Sequence, residues 1–513
     1  MRRTSTPVAA GLAFVFAAAL AAQVPPESLP QPTRATQPPL SGRSGQPGSV
    51  ATTQTALPGG GAQTVNTINS TVQVQGSYQG SVPATGIPAG PLKLSLDDAV
   101  RRGIEFNLGT VGYNQALRQA EAANKSARSS LLPTVTADAA VTDQQTDLAA
   151  LGFTSFKVPG LSFPGVLGPY HYVDLRAGVE QSLLDLTRRR NYRATQQNAR
   201  AVQFAAQDAR DLVVLAVTGA YLQAIASAAR IESTRAQVET AQATFRQASD
   251  RHDSGLAARI DVTRSQVELR TNQQRLISVE NDLAKQKIAL ARLIGLPAGQ
   301  DYTLSDALPY APVADLTLDQ ALQRAAANRA DLKAADAQVR AAEIARRAAV
   351  AERYPTIQIS GDYGAIGSSP VSAHGTFGVT GTVRVPIFQG GRVEADIEMA
   401  DAALQQRRSE YQDLKGRVDA DVRTAFLDLT AAASQEAVAE SNRQLAADTL
   451  AQARDRFAAG VADTVEVVQA EEAVAAAEQD RIAALFAHNL AKASLARAMG
   501  QADQGIKQFL GRP

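Results

Sequence analysis

Four histidines and no cysteine bound the chemistry open to this 513-residue chain. His171, His252, His374 and His488 stand at no metal-ligand spacing. Without cysteine there is no disulfide, thiolate metal site, thiol nucleophile or acylated lipoprotein terminus. No Ser/His/Asp set, carboxylate pair or Walker loop stands out, so neither an enzyme nor a bound cofactor or metal is expected. What remains is charge at repeated positions. Asp261 lies six residues after Gly255, and Glu466 six residues after Gly460. Such a carboxylate, with no catalytic partner nearby in sequence, can contribute only its charge. Lys and Arg total 51 against 50 Asp and Glu, and a net charge of +1 argues against a nucleic-acid partner.

These glycine–acid pairs belong to a tandem duplication. Leu94–Val100 matches Leu316–Leu322, and Leu132-Pro133-Thr134 matches Tyr354-Pro355-Thr356, at an offset of 222. Gly255, Asp261 and Gly295 match Gly460, Glu466 and Gly500 at an offset of 205, so the first copy carries a longer loop in between. Repeat one spans 92–300, with a strand hairpin at 133–186 and a helix pair at 187–295. Repeat two spans 316–500, with a hairpin at 355–389 and a helix pair at 390–500. A short tail, 501–513, follows. Residues 1–22 read as an export signal, with Arg2 and Arg3 before the apolar run Val8–Leu20 and a small-x-small site at Ala19-Leu20-Ala21. No later stretch is expected to be apolar enough to span a bilayer. Residues 23–91 hold eleven of the 23 prolines and few charges, which predicts a disordered linker with at most a short strand at Val72–Gln75. Removing residues 30–85 is then expected to leave assembly intact.

Within each copy the period switches. Asp97 and Asp319 favour helix starts, and Pro133 and Pro355 end those helical stretches. Val135, Ala137, Ala139 and Val141 then alternate with Thr134, Thr136 and Asp138, and Phe377, Val379 and Val383 with Thr380 and Thr382. Four strands of about 10 residues are predicted, each with one apolar and one polar face. Residues 187 to about 250 lack proline, giving roughly 95 Å of helix. Val262, Leu269, Leu276, Leu283 and Leu290 repeat every seven residues, the period of a left-handed coiled coil. Arg481 and His488 replace Leu276 and Leu283 in the second copy, so one face of that helix pair is expected to meet water.

An apolar sheet face needs a cover, either lipid or another protein layer. Outer-membrane barrels take eight or more strands, so four suffice only if chains share one barrel. Nine of the 25 Phe and Tyr fall in 131–186 and 354–390, among them Phe153, Phe156, Phe163, Tyr170, Tyr172, Tyr363 and Phe377, as suits a membrane interface. The alternative is a soluble periplasmic coiled-coil scaffold or adaptor whose strands are buried in protein.

From Leu92 to Gln501 the sequence resembles the TolC-like outer-membrane factor family, the exit ducts of efflux pumps and type I secretion systems. The residues that carry the resemblance are Arg251, Gly255-Leu256 and Asp261-Val262, their counterparts Arg456-Phe457, Gly460-Val461 and Glu466-Val467, and the Val385-Pro386-Ile387-Phe388-Gln389-Gly390-Gly391-Arg392 junction. The resemblance implies an α+β membrane protein, a homotrimer whose four strands per chain make a twelve-stranded outer-membrane β-barrel. A long α-helical coiled-coil tunnel continues it through the periplasm. It implies passive conduction with a periplasmic adaptor protein, an inner-membrane pump and outer-membrane lipid as partners. By the same resemblance, Gly255, Leu256, Gly460 and Val461 are adaptor-contact tips, and Glu466 with Gln469 marks the pore constriction. Gln469 falls where relatives can carry a second acid, and Ala462 where some carry an arginine. Pro386, Gly390 and Gly391 form the barrel-to-tunnel junction. Ser182–Arg188 lacks that Pro and Gly-Gly, so a less sharp bend is expected in the first copy. Arg188, Arg189 and Arg190, at the first barrel-to-tunnel junction, offer pairing with acidic headgroups or strand carboxylates but read first as a solvated face, and Asp261 reads as a helix–helix contact.

Overall fold

The computed structural model describes residues 48–56, 68–84, 90–150, 164–297, 299–308, 316–462 and 464–503. The export signal, Phe153, Phe156, Phe163 and most of the 501–513 tail lie outside them.

Each repeat opens with two helices in line: α1 (Leu96–Phe106) and α2 (Leu108–Ser129), then α5 (Leu318–Asn328) and α6 (Ala330–Ala351). The starts are set by side-chain caps on Ser95 and Thr317, with the acids behind them in the first turn. The breaks fall at Asn107 and Arg329, whose non-helical backbones end one helix and begin the next. Asn107 is fully buried and donates to the carbonyls of Tyr78 (2.9 Å) and Leu293 (3.2 Å). Arg329, at the same place in repeat two, bonds Asp331 at 2.6 Å and Asp421 at 3.0 Å.

Four strands follow in two hairpins, β4 (Thr134–Asp147) with β5 (Val166–Leu184) and β7 (Thr356–Gly367) with β8 (His374–Arg384). They form one antiparallel sheet in the order β4-β5-β7-β8. At 14, 19, 12 and 11 residues they exceed the expected ten, and the extra length of repeat one goes into β4 and β5 as well as their connection. Long helices leave the sheet: α3 (Leu186–Asp253) turns back as α4 (Arg259–Leu293), and α7 (Arg392–Ala458) turns back as α8 (Thr464–Ala498). The heptad leucines of α4 face α3, with Leu269 and Leu290 buried. Parallel strands β3 (Leu92–Leu94) and β6 (Tyr302–Leu304) tie the start of repeat one to its end.

Three expectations are corrected. The Pro/Gln-rich segment is not disordered throughout: β1 (Val50–Ala56) and β2 (Ile68–Val74) pair antiparallel. Val72 packs with Leu222, Ile482 and Leu490, and Thr52 meets Ser494 Oγ at 2.9 Å. Composition hid this hairpin because its apolar residues number only a few per strand and are buried by helices far along the chain. Gly219 of α3 makes the docking possible, since a Cβ there would meet Val72 Cγ2 at 2.4 Å.

Secondly, the second helix pair meets water at only one of the two replaced seam positions, Arg481, whose side chain is 36% exposed. His488 is 1% exposed, and Arg481 reaches Glu440 of α7 at 2.5 Å. Hydrogen bonds from Arg443 and Arg481 hold the Glu440 carboxyl down to about 2.

Thirdly, α3 does contain an 18-residue stretch long and apolar enough to cross a membrane, but 72% of it is buried inside the fold. It is a core segment, with Val213, Val214, Val217 and Tyr221 fully enclosed.

The repeats meet beside that segment. Arg497 of α8 bonds Asp208 of α3 at 2.5 Å, and within repeat two Gly500 lies so close to Arg329 that a Cβ would come within 2.7 Å of its nitrogen. Burial pushes Asp208 up, with Arg497 pulling the other way, and raises the neighbouring Asp211 to about 6.

Candidate functional site

At the far end of each helix pair, one glycine makes the turn. Gly255 has φ +74° and Gly460 φ +75°. In repeat one, Leu256 N–H donates to Arg251 O (2.7 Å) and Gly255 N–H to His252 O (2.8 Å). In repeat two, Val461 N–H donates to Arg456 O and Gly460 N–H to Phe457 O, both at 3.0 Å. These are paired Schellman caps, which satisfy the last carbonyls of a helix through one left-handed residue. Nothing lies within 4 Å of a Cβ built on either glycine, so the requirement is the left-handed φ, not space. The cap turns the next side chain outward: Leu256 and Val461 are both 72% exposed. The four expected tip residues thus form two matching apolar points.

The tips are cross-linked by side chains whose mutual contacts are not evident from sequence. Arg251 donates to Phe457 O at 2.9 Å and stacks over the Phe457 ring at 4.6 Å, joining α3 to α7. Thr244 donates to buried Glu471 at 2.7 Å, and Arg454 reaches the same carboxylate at 3.4 Å. The doubled Arg-x-x-x-Gly spacing was the available signal, and it was legible only as a family mark.

Glu466 sits in the first turn of α8 and bridges to Arg456 at 3.0 Å. Its charge is therefore compensated in part within the chain. Gln469 lies one turn on, exposed, in a groove of about 440 Å³ between α4 and α8 that Ile260, Val267, Val465 and Val468 also line. Asp261 is half-buried in the first turn of α4, and Ala462 half-buried beside the second turn.

At the other end, register sorts the sheet residues. Val135 faces Val179, Ala139 faces Leu175, Ala177 faces Tyr363, and Tyr363 faces Phe377, all on one face. That face is bare: Val135 is 72% exposed, Tyr363 69% and Phe377 80%. The opposite face carries Asp138 across from Arg176, and Arg176 bridges to Asp174 (3.3 Å) and to Asp362 on β7. Among the described residues nothing covers the apolar face or pairs with the two edges, and a four-stranded sheet in that state is incomplete.

The two junctions below the sheet differ. In repeat two, residues 385–391 connect β8 to α7; Pro386 interrupts the strand, and Gly390 (φ +60°) and Gly391 (φ +80°) reverse the backbone, with Gly391 as N-cap. In repeat one a single residue does this. Asp185 follows β5 directly and caps α3, accepting from Arg188 N–H at 2.8 Å. Among the described residues no group of three or more His, Cys, Asp or Glu could hold a metal.

The sequence matches the family "Outer membrane efflux protein" over residues 113–296 and 321–501, one match in each repeat. No curated protein matches it. Among solved structures, the outer membrane protein VceC from Vibrio cholerae is 19% identical, with a TM-score of 0.66 over 79% of this chain and 96% of that one. A membrane protein from Pseudomonas aeruginosa is 20% identical, with a TM-score of 0.68 over 82% of this chain and all of that one. The CmeC outer membrane channel of Campylobacter jejuni is 15% identical, with a TM-score of 0.68 over 80% and 88%. At such identities these likenesses concern the fold.

Proposed function

The chain belongs to the outer membrane efflux protein family, and from that premise we propose that it is a passive outer-membrane exit channel. Three copies share one twelve-stranded barrel, continued by a helical tunnel in the periplasm. An inner-membrane pump and a periplasmic adaptor, of a tripartite efflux or type I secretion system, supply the energy and the cargo. The single observation behind this is the sheet: its apolar face is bare, its charged face is opposite, and both edges are open. Joining copies edge to edge satisfies the backbone, turns the apolar face to lipid and lines the lumen with Asp138, Arg176 and Asp362.

The tips, Gly255-Leu256 and Gly460-Val461, present the apolar points on which the adaptor docks. Glu466 and Gln469 line the periplasmic aperture, and the Pro386, Gly390 and Gly391 segment redirects the chain from barrel to tunnel. Native mass of the protein extracted from outer membranes in mild detergent tests the assembly. A trimer is expected there, whereas a water-soluble monomer or dimer would support a periplasmic scaffold instead. Glu466→Gln should raise the anion share of the current in planar bilayers, modestly, because Arg456 already offsets the charge. Unchanged selectivity would remove Glu466 from the aperture.

A further inference from the structure

The base of the sheet carries an unbalanced charge. Four stretches meet where strands turn into helices: 125–133, 183–193, 346–354 and 384–394. Together they hold eleven lysines and arginines against three acids, in a chain whose net charge is +1. The opposite ends of the same helices are balanced, with six cations and six acids over 246–264 and 454–466. All three acids at the sheet end are already engaged: Asp185 by Arg188 at 3.1 Å, Glu352 by Arg392 at 2.8 Å and Glu394 by Arg353 at 3.2 Å. Arg128, Arg189, Arg190, Arg193 and Arg347 have no carboxylate within salt-bridge reach among the described residues. Four of them are exposed, and Arg190 is half-buried, donating to the Arg347 carbonyl at 2.5 Å.

The same end of the sheet also carries exposed apolar residues. Leu183 is 63% exposed, Val385 57%, Ile387 95% and Phe388 88%. Val385 and Ile387 continue the alternation of Val383 and Val379, so the bare apolar face of β8 runs past its last ladder residue into the junction. A water-exposed turn has no use for Ile and Phe at this exposure, and a buried one would not leave five guanidinium groups without an anion.

We propose that this junction is a phospholipid-binding collar, in which the arginines hold headgroup phosphates of the periplasmic leaflet while Val385, Ile387 and Phe388 enter its acyl region. The inference rests on the barrel reading above and adds a lipid class and named residues to it. Guanidinium groups suit phosphate through forked hydrogen bonds. A cation at a membrane surface contributes about fivefold in affinity for anionic lipid. In a chain without an acylated cysteine, such a collar would fix the depth of the barrel in the bilayer.

The test uses the full chain, in detergent micelles with equal phosphatidylglycerol and phosphatidylcholine, and reads retained lipid by native mass spectrometry. The wild type should retain phosphatidylglycerol preferentially, and added salt should erode the preference. The Arg189→Gln, Arg190→Gln, Arg193→Gln triple variant should lose at least about tenfold of that preference, and Lys at the same three positions should restore most of it. Arg264→Gln, near the tips, should leave it unchanged. Equal retention of the two lipids by the micelle-embedded wild type would overturn the collar alone, as would a salt-independent preference or one unaltered in the triple Gln variant. A chain that stays soluble without detergent would instead sink the barrel reading itself.

Discussion

Helices α4 and α8 hold equivalent places in the two repeats and are each 35 residues long, yet the upper half of one is bare and that of the other enclosed. Ile277 of α4 is 69% exposed, whereas its counterpart Ile482 is 4% exposed. Ile288 is 58% exposed and its counterpart Ala493 is 2%. Even His488, Asn489 and Lys492 of α8 are buried. The difference comes from neighbours as much as from the helices. Besides α7, α8 has α3 on one side and the β1–β2 hairpin on another, and Val72 reaches Ile482 and Leu490. The two repeats supply similar helix pairs; α8 is enclosed because α3 and also the β1–β2 hairpin cover it, whereas α4 has no such cover among the described residues.

The most direct way to break the contrast is to remove residues 48–75. This should cost roughly 4–6 kcal/mol of unfolding free energy, counting the lost burial of Val50, Val72 and Val74 and the exposure of what they cover, and should speed hydrogen exchange in α8 around Ile482 and Leu490. An unchanged unfolding midpoint would mean that the hairpin covers nothing that matters.

The joint between repeats should respond almost as strongly. Arg497→Ala strands Asp208 in a buried setting and should cost about 3 kcal/mol. Arg292→Ala, the exposed counterpart in repeat one, should stay within about 0.5 kcal/mol. Equal losses in chemical unfolding would erase the asymmetry.

The smallest effect is a dependence on pH. Asp211 is 7% exposed, and burial raises its carboxyl from 3.8 to about 6, faced by Arg497, Asp208, Asp503 and Arg210. Between those values the folded chain keeps a proton that the unfolded chain has released. Its contribution to stability is therefore full below about pH 4 and falls as pH rises toward 6. Asp211→Asn should flatten that slope by on the order of 1 kcal/mol, seen as a smaller loss of stability between pH 5 and 7. A steeper slope in the variant would reverse the assignment.

Much of this architecture is legible in the sequence because it is periodic. Two-residue alternation found all four strands of the sheet and their apolar face. The heptad leucines found α4, and proline positions found the ends of α2 and α6. Gly255 and Gly460 could be placed because a left-handed cap has few substitutes. The parts that stayed hidden rest on contacts between distant residues. Nothing local in Val72 announces Gly219 or Ile482, and nothing near Arg481 announces Glu440. Arg251 could be picked out as a motif member, but its partner Phe457 is 206 residues away.

The order of the sheet has one more consequence. Its two open edges come from different repeats, β4 from the first and β8 from the second. Strand direction alternates across the four, so a second copy whose β4 joins this copy's β8 continues the alternation without interruption. Pairing β4 with β4, or β8 with β8, would turn one copy upside down and send its helices out of the opposite side of the sheet. Antiparallel edge pairing that keeps all helices on one side is thus head-to-tail, a contact that joins unlike edges and closes into a ring when the rotation between copies allows it, but never pairs an edge with its own copy. The duplicated chain carries its own polarity, because its first half can be completed only by the second half of a neighbour.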